Sequence, residues 1–298
     1  LSAGSFLRLD GAADADIFDL ASDLDATASD GILDISTSDL SGTGAQRIDL
    51  GSHRAGVNVA TDAADDTLTI DAENLGAASQ KYLMLGGGLD SGDSSTSVIV
   101  NNLTKDLFAD TGGDVNSSAE NSDYVGELTV NTGELDHNDS TVFHLGTGET
   151  RLNTVEKDVA GTEGTIDLTV EADDLDANTL TISGDADVQV NDASDDVDAS
   201  GSTGELDVNS ETDSTFTITT GTDETTVTSA GSASDITVAA GNLQNDSDDT
   251  TFELILDGEG AVTANAVDAD VDAGVLNGKL EVNTQSGADV SVTAGNAD

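Results

Sequence analysis

The residues with the clearest capacity for chemistry are aspartates and glutamates that cluster beside short apolar segments. Calcium prefers carboxylate and carbonyl oxygens, roughly six to eight per ion. Acidic turns next to strands supply such oxygens, so these clusters predict calcium ligands. The predicted ligands are Asp195, Asp196, Asp198, Asp270, Asp272, Asp223, Glu224, Asp65, Asp66, Asp90 and Asp93. For each single cluster, an ordinary solvated Asx turn is the alternative.

Catalytic chemistry is poorly represented. There is no cysteine, which excludes thiolate metal sites and cysteine nucleophiles. His53, His137 and His144 fit no zinc motif, and we expect them to be ordinary surface or turn residues. Carboxylate pairs are uninformative among 60 acidic residues, and the absence of tryptophan argues against a sugar-active site. We therefore expect no enzyme, with a carbohydrate-active β-helix enzyme as the remote alternative.

The charge balance excludes several classes of partner. The 298 residues include 60 acidic and eight basic ones, giving a formal net charge of −52. Such a chain repels nucleic acid and anionic lipid, which are bound by lysine and arginine. No apolar run reaches the ~20 residues of a membrane-spanning helix. The composition is also halophile-like, because salt screens the self-repulsion of so many carboxylates.

Short alternating runs of apolar residues predict β-strands. Examples are Thr-Leu-Thr-Ile at 67–70, Glu-Leu-Thr-Val at 127–130 and Thr-Phe-Thr-Ile-Thr at 215–219. Period-two alternation with threonine as the polar partner is typical of half-buried strands. A turn or two of helix is expected only near 12–28. The sequence otherwise predicts an all-β chain with Gly, Asp, Asn and Ser turns.

An internal duplication has a period of 74 residues. Residues 180–224 align with 254–298 without a gap and share 14 identities in 45 positions. Strand centres are expected near 181, 189, 198, 206, 217, 227, 237 and 253. Such short strands with recurring small aliphatic residues favour stacked coils over a sandwich. The prediction is a right-handed parallel β-solenoid or β-roll, with about four two-strand coils per unit.

Three segments of the duplicated region carry a family resemblance. They are Leu-Thr-Ile-Ser-Gly-Asp-Ala-Asp-Val-Gln-Val at 180–190, Val-Asp-Ala-Ser-Gly-Ser-Thr-Gly-Glu-Leu-Asp-Val at 197–208 and Phe-Thr-Ile-Thr-Thr-Gly-Thr-Asp-Glu-Thr-Thr-Val at 216–227. In frame and order they resemble calcium-dependent surface-layer (S-layer) proteins of Gram-negative bacteria. Those proteins are similar to hemolysin-type (RTX) calcium-binding repeats, although the RTX nonapeptide itself does not occur here. The resemblance is clearest over 165–298.

The resemblance implies Ca²⁺ as the bound ion, a location outside the cell or on its surface, and self-association into a lattice or filament. Cell-surface polysaccharide is a further expected partner, through a region outside this fragment. An extender or ligand-binding segment of a large secreted RTX-type adhesin is the alternative. Because the repeat pattern stops in mid-unit at Asp298, we also expect end-to-end association that increases with calcium.

Three regions are expected along the chain. Residues 1–75 are predicted to hold irregular β-repeats, 76–124 an insertion or long loop, and 125–298 the β-solenoid with its duplicated unit.

Overall fold

The chain folds into two parallel β-sheets, and the part of it that the structure describes contains no helix. The computed structural model describes residues 6–38, 46–59, 67–76, 82–87, 97–109, 126–136, 141–157, 165–173, 175, 178–243 and 254–295. Successive strands alternate between the sheets, so each sheet holds 13 of the described strands and two consecutive strands make one coil. The prediction of an all-β parallel solenoid is confirmed.

The strands are short, and each pairs with strands two places away in the chain. The first sheet contains β1 (Phe6–Gly11), β3 (Asp23–Ser29), β5 (Gln46–Asp49), β7 (Thr67–Asp71), β9 (Ser97–Leu103), β11 (Glu127–Leu135), β13 (Thr150–Glu156), β15 (Leu180–Gly184), β17 (Val197–Ser202), β19 (Thr215–Thr219), β21 (Asp235–Ala239), β23 (Ala261–Val267) and β25 (Leu280–Thr284). The second, which we call the even sheet, contains β2 (Ala15–Leu20), β4 (Leu33–Thr37), β6 (Ala55–Val59), β8 (Tyr82–Gly87), β10 (Asp106–Phe108), β12 (Thr141–His144), β14 (Leu168–Glu171), β16 (Val188–Ala193), β18 (Leu206–Ser210), β20 (Thr225–Ser229), β22 (Leu254–Gly258), β24 (Val271–Ala273) and β26 (Val292–Ala294).

The alternation of residue types along each strand produces the core. In β19, Phe216 and Ile218 are buried and the threonines between and beside them are not. The same pattern places Leu168 and Val170 of β14 inside, and Leu254 and Leu256 of β22. Small aliphatic residues recur because each inward side chain packs on its equivalent in the next coil, about 4.8 Å away.

The duplication is visible in the structure, but its unit is not a whole number of coils. Seven described strands, β15 to β21, precede β22, where the second copy begins at Leu254. The described strands of the unit make three and a half coils, compared with the expected figure of about four. The expected centre near 253 belongs to the second copy, so equivalent strands such as β15 and β22 lie in opposite sheets. The element that repeats is a single strand with its turn.

Equivalent residues of the two copies share left-handed backbone conformations. The pairs are Gly184 with Gly258 (φ 113° and 103°), Asp192 with Ala266 (52° and 56°) and Asp213 with Gly287 (64° and 94°). At the second pair the strand register shifts, as expected of a β-bulge. Aspartate tolerates this region better than alanine, so Ala266 carries backbone strain that Asp192 largely avoids.

Two equivalent glycines mark close contact between neighbouring coils. A Cβ atom at Gly204 would overlap the carbonyl oxygen of Ala186, and one at Gly278 would overlap the carbonyl oxygen of Gly260. Any larger residue would push the coils apart at these turns. Steric contact therefore explains why this glycine recurs in the repeat.

The chain divides into two compact units, residues 1–153 and 154–298. In the first unit, the expectation of a helical turn near 12–28 is wrong, because this segment forms β2 and most of β3. Parallel pairing of Ile17 with Ile35 and burial of Leu24 in the core override the local helical preference. Residues 76–124 contain β8, β9 and β10, which pair with strands on both sides.

Candidate functional site

Aspartates placed one residue before a strand accept hydrogen bonds from the next coil. Asp196 Oδ1 accepts the backbone N–H of Thr217 at 2.7 Å, and the equivalent Asp270 Oδ1 accepts that of Ser291 at 2.8 Å. The same bond is therefore present in each copy of the duplicated unit. Two of the predicted calcium ligands therefore hold neighbouring coils in register.

The same contact recurs along the chain. Further inter-coil bonds join the carboxylate of Asp14 to the N–H of Ile32 (2.9 Å), Asp23 to Arg47 (2.9 Å), Asp106 to Val142 (3.0 Å) and Asp187 to Glu205 (2.8 Å). Each of these aspartates stands immediately before the first inward-facing residue of its strand. This position before the first inward residue is therefore the sequence feature that these aspartates share.

Other predicted ligands form local turns. Asp198 Oδ1 accepts the N–H of Ser200 at 3.0 Å, and the equivalent Asp272 Oδ1 accepts that of Gly274 at 2.8 Å. These contacts are Asx turns, the alternative that the sequence left open. Asp195 accepts a hydrogen bond from the Ser194 hydroxyl at 3.1 Å, and Asp223 accepts one from the N–H of Glu224 at 2.8 Å.

The predicted ligands do not assemble into a preformed calcium cage in the described part of the chain. Among the described residues, no group of three or more His, Asp or Glu side chains has the arrangement of a metal site. In Asp195, Asp196, Asp198 and Asp223, one carboxylate oxygen already accepts a protein hydrogen bond. Asp65, Asp66, Asp90 and Asp93 lie outside the described residues.

A line of acidic side chains crosses four neighbouring strands of the even sheet. We call Asp167, Asp187, Glu205 and Glu224 the carboxylate row; each directly precedes the first inward residue of β14, β16, β18 or β20. The strand register aligns the four positions, and neighbouring strands lie about 4.8 Å apart. Asp167 and Asp187 are buried. The row places like charges closer together than a Debye length.

The electrostatic effect of this row is clearest at Glu205. Partial burial, followed by the charges of Asp187, Glu224 and Asp223, raises the pKa of Glu205 to about 7 from 4.5. Burial also raises the pKa of Asp207. A hydrogen bond donated by Gln189 at 3.0 Å lowers this pKa, but by less than burial raises it. In the described structure, Asp207 Oδ1 is buried without a hydrogen-bond partner. The carboxylates here disfavour one another's ionised forms, so a cation beside them would be attracted.

Asparagines form ladders on the outward faces of both units. In residues 1–153, Nδ2 of Asn153 donates to Asn131 (2.6 Å) and Nδ2 of Asn131 to Asn101 (2.7 Å). In residues 154–298, Asn209 donates to Asn191 (3.2 Å), Asn191 to Glu171 (3.1 Å) and Asn283 to Asn265 (3.0 Å). Stacked amides of this kind stabilise parallel in-register strands.

An aromatic group that the sequence did not reveal lies on the outward face of the even sheet. The ring of Phe108 stacks on His144 with centroids 4.7 Å apart and planes at 11°, and it meets the edge of Tyr82 at 5.5 Å. The Arg54 Nη1 group donates to the Tyr82 hydroxyl at 3.0 Å. We call these four residues the aromatic cluster. His53 Nδ1 lies 3.2 Å from the Ser52 hydroxyl, and His137 is outside the described residues.

Comparison with known proteins does not assign the chain to a family. No family model, curated protein or solved structure matches it. Among the described residues, no helix has the length and apolarity needed to cross a bilayer.

Proposed function

We propose that this chain is a structural segment of a calcium-dependent, self-assembling protein of the cell surface, located outside the cell. The S-layer resemblance of the sequence suggests this role. The observation that carries the proposal is the carboxylate row on a parallel solenoid, since such a row opposes close approach of molecules until cations neutralise it.

The row supports a particular role for the cation. Partial burial of Glu205, together with repulsion from its acidic neighbours, raises its pKa to about 7, so this carboxyl group is only partly ionised near pH 7. A divalent ion beside the row would lower this repulsion and that between molecules. Because the described candidates form no closed cage, calcium would bind along surface carboxylates with much of its coordination from water and backbone carbonyls.

The internal duplication favours a second candidate function. A unit of 74 residues that stacks on its own copy can extend as a tandem array. In that case the chain would be an extender or ligand-binding segment of a large secreted RTX-type adhesin. Many further tandem units and a terminal ligand-binding domain in the full-length gene would favour the adhesin.

Light scattering during cation titration tests the assembly. The protein is dialysed into low-salt buffer with chelator, and calcium or magnesium is added at matched ionic strength. We expect scattering to rise with calcium and much less with magnesium, which keeps its octahedral water shell more strongly. Equal scattering with the two ions would mean that nonspecific charge screening, and not calcium binding, causes the association. Assemblies that persist in chelator at low salt would contradict calcium dependence.

A further inference from the structure

The aromatic cluster is unlike the rest of this acidic surface. Its residues face outward, because the alternate residues Leu83, Leu107 and Phe143 fill the core. The Arg54 guanidinium lies 5.9 Å from the Tyr82 ring centroid. Among the described residues Arg54 forms no ion pair, whereas the other three arginines pair with carboxylates. A guanidinium over an aromatic ring is well placed to receive a carboxylate from another molecule.

Charge is distributed unevenly between the two units. Residues 1–153 hold six of the eight basic residues and all three histidines, with 27 acidic residues. Residues 154–298 hold two basic and 33 acidic residues. The 154–298 unit of one molecule therefore meets less repulsion from the 1–153 unit of a second molecule than from that molecule's 154–298 unit.

The two surfaces also share a geometry. Arg54 and Tyr82 occupy the position directly before the first inward residue of their strands, as the carboxylate row does. Arg54 and Tyr82 lie on adjacent even-sheet strands, as the partly exposed Glu205 and Glu224 do, and adjacent strands are about 4.8 Å apart. Arg54 and Tyr82 of one molecule can therefore face Glu205 and Glu224 of another at matching intervals.

We propose that the aromatic cluster of one molecule docks against the carboxylate row of a second copy, with Arg54 facing Glu205. The proposal rests on the self-assembly proposed above and names its contact surface. The raised pKa of Glu205 supports the pairing, since an approaching guanidinium favours the ionised carboxylate. The contact joins two different surfaces, so each molecule of a pair keeps its other surface free and further molecules can add to the assembly.

Charge reversal in separate molecules tests the contact directly. The variants Arg54→Glu and Glu205→Arg each place like charges at the contact, and we expect each alone to associate at least about tenfold more weakly in calcium. An equimolar mixture regains association, because both contacts in the mixture then join opposite charges. Sedimentation velocity on single variants and on the mixture measures this. Arg151→Glu and Glu211→Arg are the matched controls, since they change the net charge equally at exposed sites elsewhere.

A neutral variant separates docking from net charge. Phe108→Ser keeps the charge and removes the central ring of the cluster, and we expect at least about tenfold weaker association. Circular dichroism confirms that each variant is folded before it is compared.

The outcomes distinguish this proposal from the proposed function. Variants that assemble like the wild type in calcium would overturn the docking surface and leave calcium-dependent assembly intact. A wild-type chain that stays monomeric in calcium would contradict the proposed function. In that event, pairing in the mixture would still support the surface, and a monomeric mixture would overturn it.

Discussion

Aspartate in this protein acts first as an acceptor for backbone N–H groups. Asp196 and Asp270 make the same inter-coil bond in the two copies of the duplicated unit. A carboxylate that accepts a backbone N–H in this way resembles a helix N-cap in its energetics, at about 1 kcal/mol for an exposed site. The structural role does not require a bound metal.

We expect Asp196→Ala and Asp270→Ala each to lower the free energy of unfolding by about 1 kcal/mol. Urea unfolding is measured in chelator at about 1 M salt. Under these conditions the salt screens the repulsion between carboxylates, so the fold does not depend on bound divalent cations. Asp235→Ala is the matched control: Asp235 also precedes the first buried residue of its strand, but its carboxylate accepts no hydrogen bond from another described residue. Losses that occur only when calcium is present would contradict the structural role.

The pKa of Glu205 gives stability a defined pH dependence. Its folded-state pKa, about 7, lies above the unfolded value of 4.5. Between these values the folded state binds more protons than the unfolded state, so this group makes stability fall as pH rises from 4.5 to 7. Glu205→Gln removes the charge and keeps the side-chain size.

We therefore expect Glu205→Gln to be more stable than the wild type at about pH 8 and nearly equal to it at about pH 4. Urea midpoints at the two pH values in chelator measure the difference. Glu211→Gln, at an exposed turn, should show no such pH-dependent gain. A Glu205→Gln variant that is equally or less stable at the higher pH would contradict the role of the carboxylate row.

Residue types were predictable from the sequence, but their partners were not. The Asx turns at Asp198 and Asp272 follow from local composition, since the acceptor and donor lie two residues apart. The bond from Asp196 to Thr217 depends on coil length, and the contact of Phe108 with His144 depends on which strands pair. Such long-range contacts are set by register and leave no local pattern.

At the scale of the element, the repeating piece is one strand with its turn. The first copy contains seven described strands, an odd number, and strands alternate between the sheets. The first strand of the second copy therefore lies in the opposite sheet. The centres of strands over 180–254 were predictable from alternation alone. The count of coils was not, because the last expected strand belonged to the next copy. Near residues 12–28, pairing with β4 and β5 outweighed local helix propensity.

The bulge at Ala266 offers a test of the element. Ala266 has φ 56°, where its equivalent Asp192 has 52°. We expect Ala266→Asn to raise the free energy of unfolding by about 1 kcal/mol, because asparagine accepts this conformation more readily. Asp192→Ala should lower it by a similar amount. Urea unfolding measures both, and a loss of stability in Ala266→Asn would contradict the strained bulge.

At the scale of the whole molecule, a net charge of −52 opposes compaction. The core consists of small aliphatic residues in stacked coils, and the outward faces carry threonine, asparagine and carboxylates. Hydrophobic burial therefore acts against a large electrostatic self-repulsion that depends on the surrounding ions. We propose that calcium acts on both folding and assembly through the same carboxylates.

Far-UV circular dichroism during calcium titration tests this central claim most directly. The protein is placed in chelator at low ionic strength, and calcium is then added while ionic strength is held fixed. We predict that the β-sheet signal is weak at first, grows cooperatively with calcium and is lost again when chelator is restored. A full β-sheet signal in low-salt chelator that calcium leaves unchanged would contradict it.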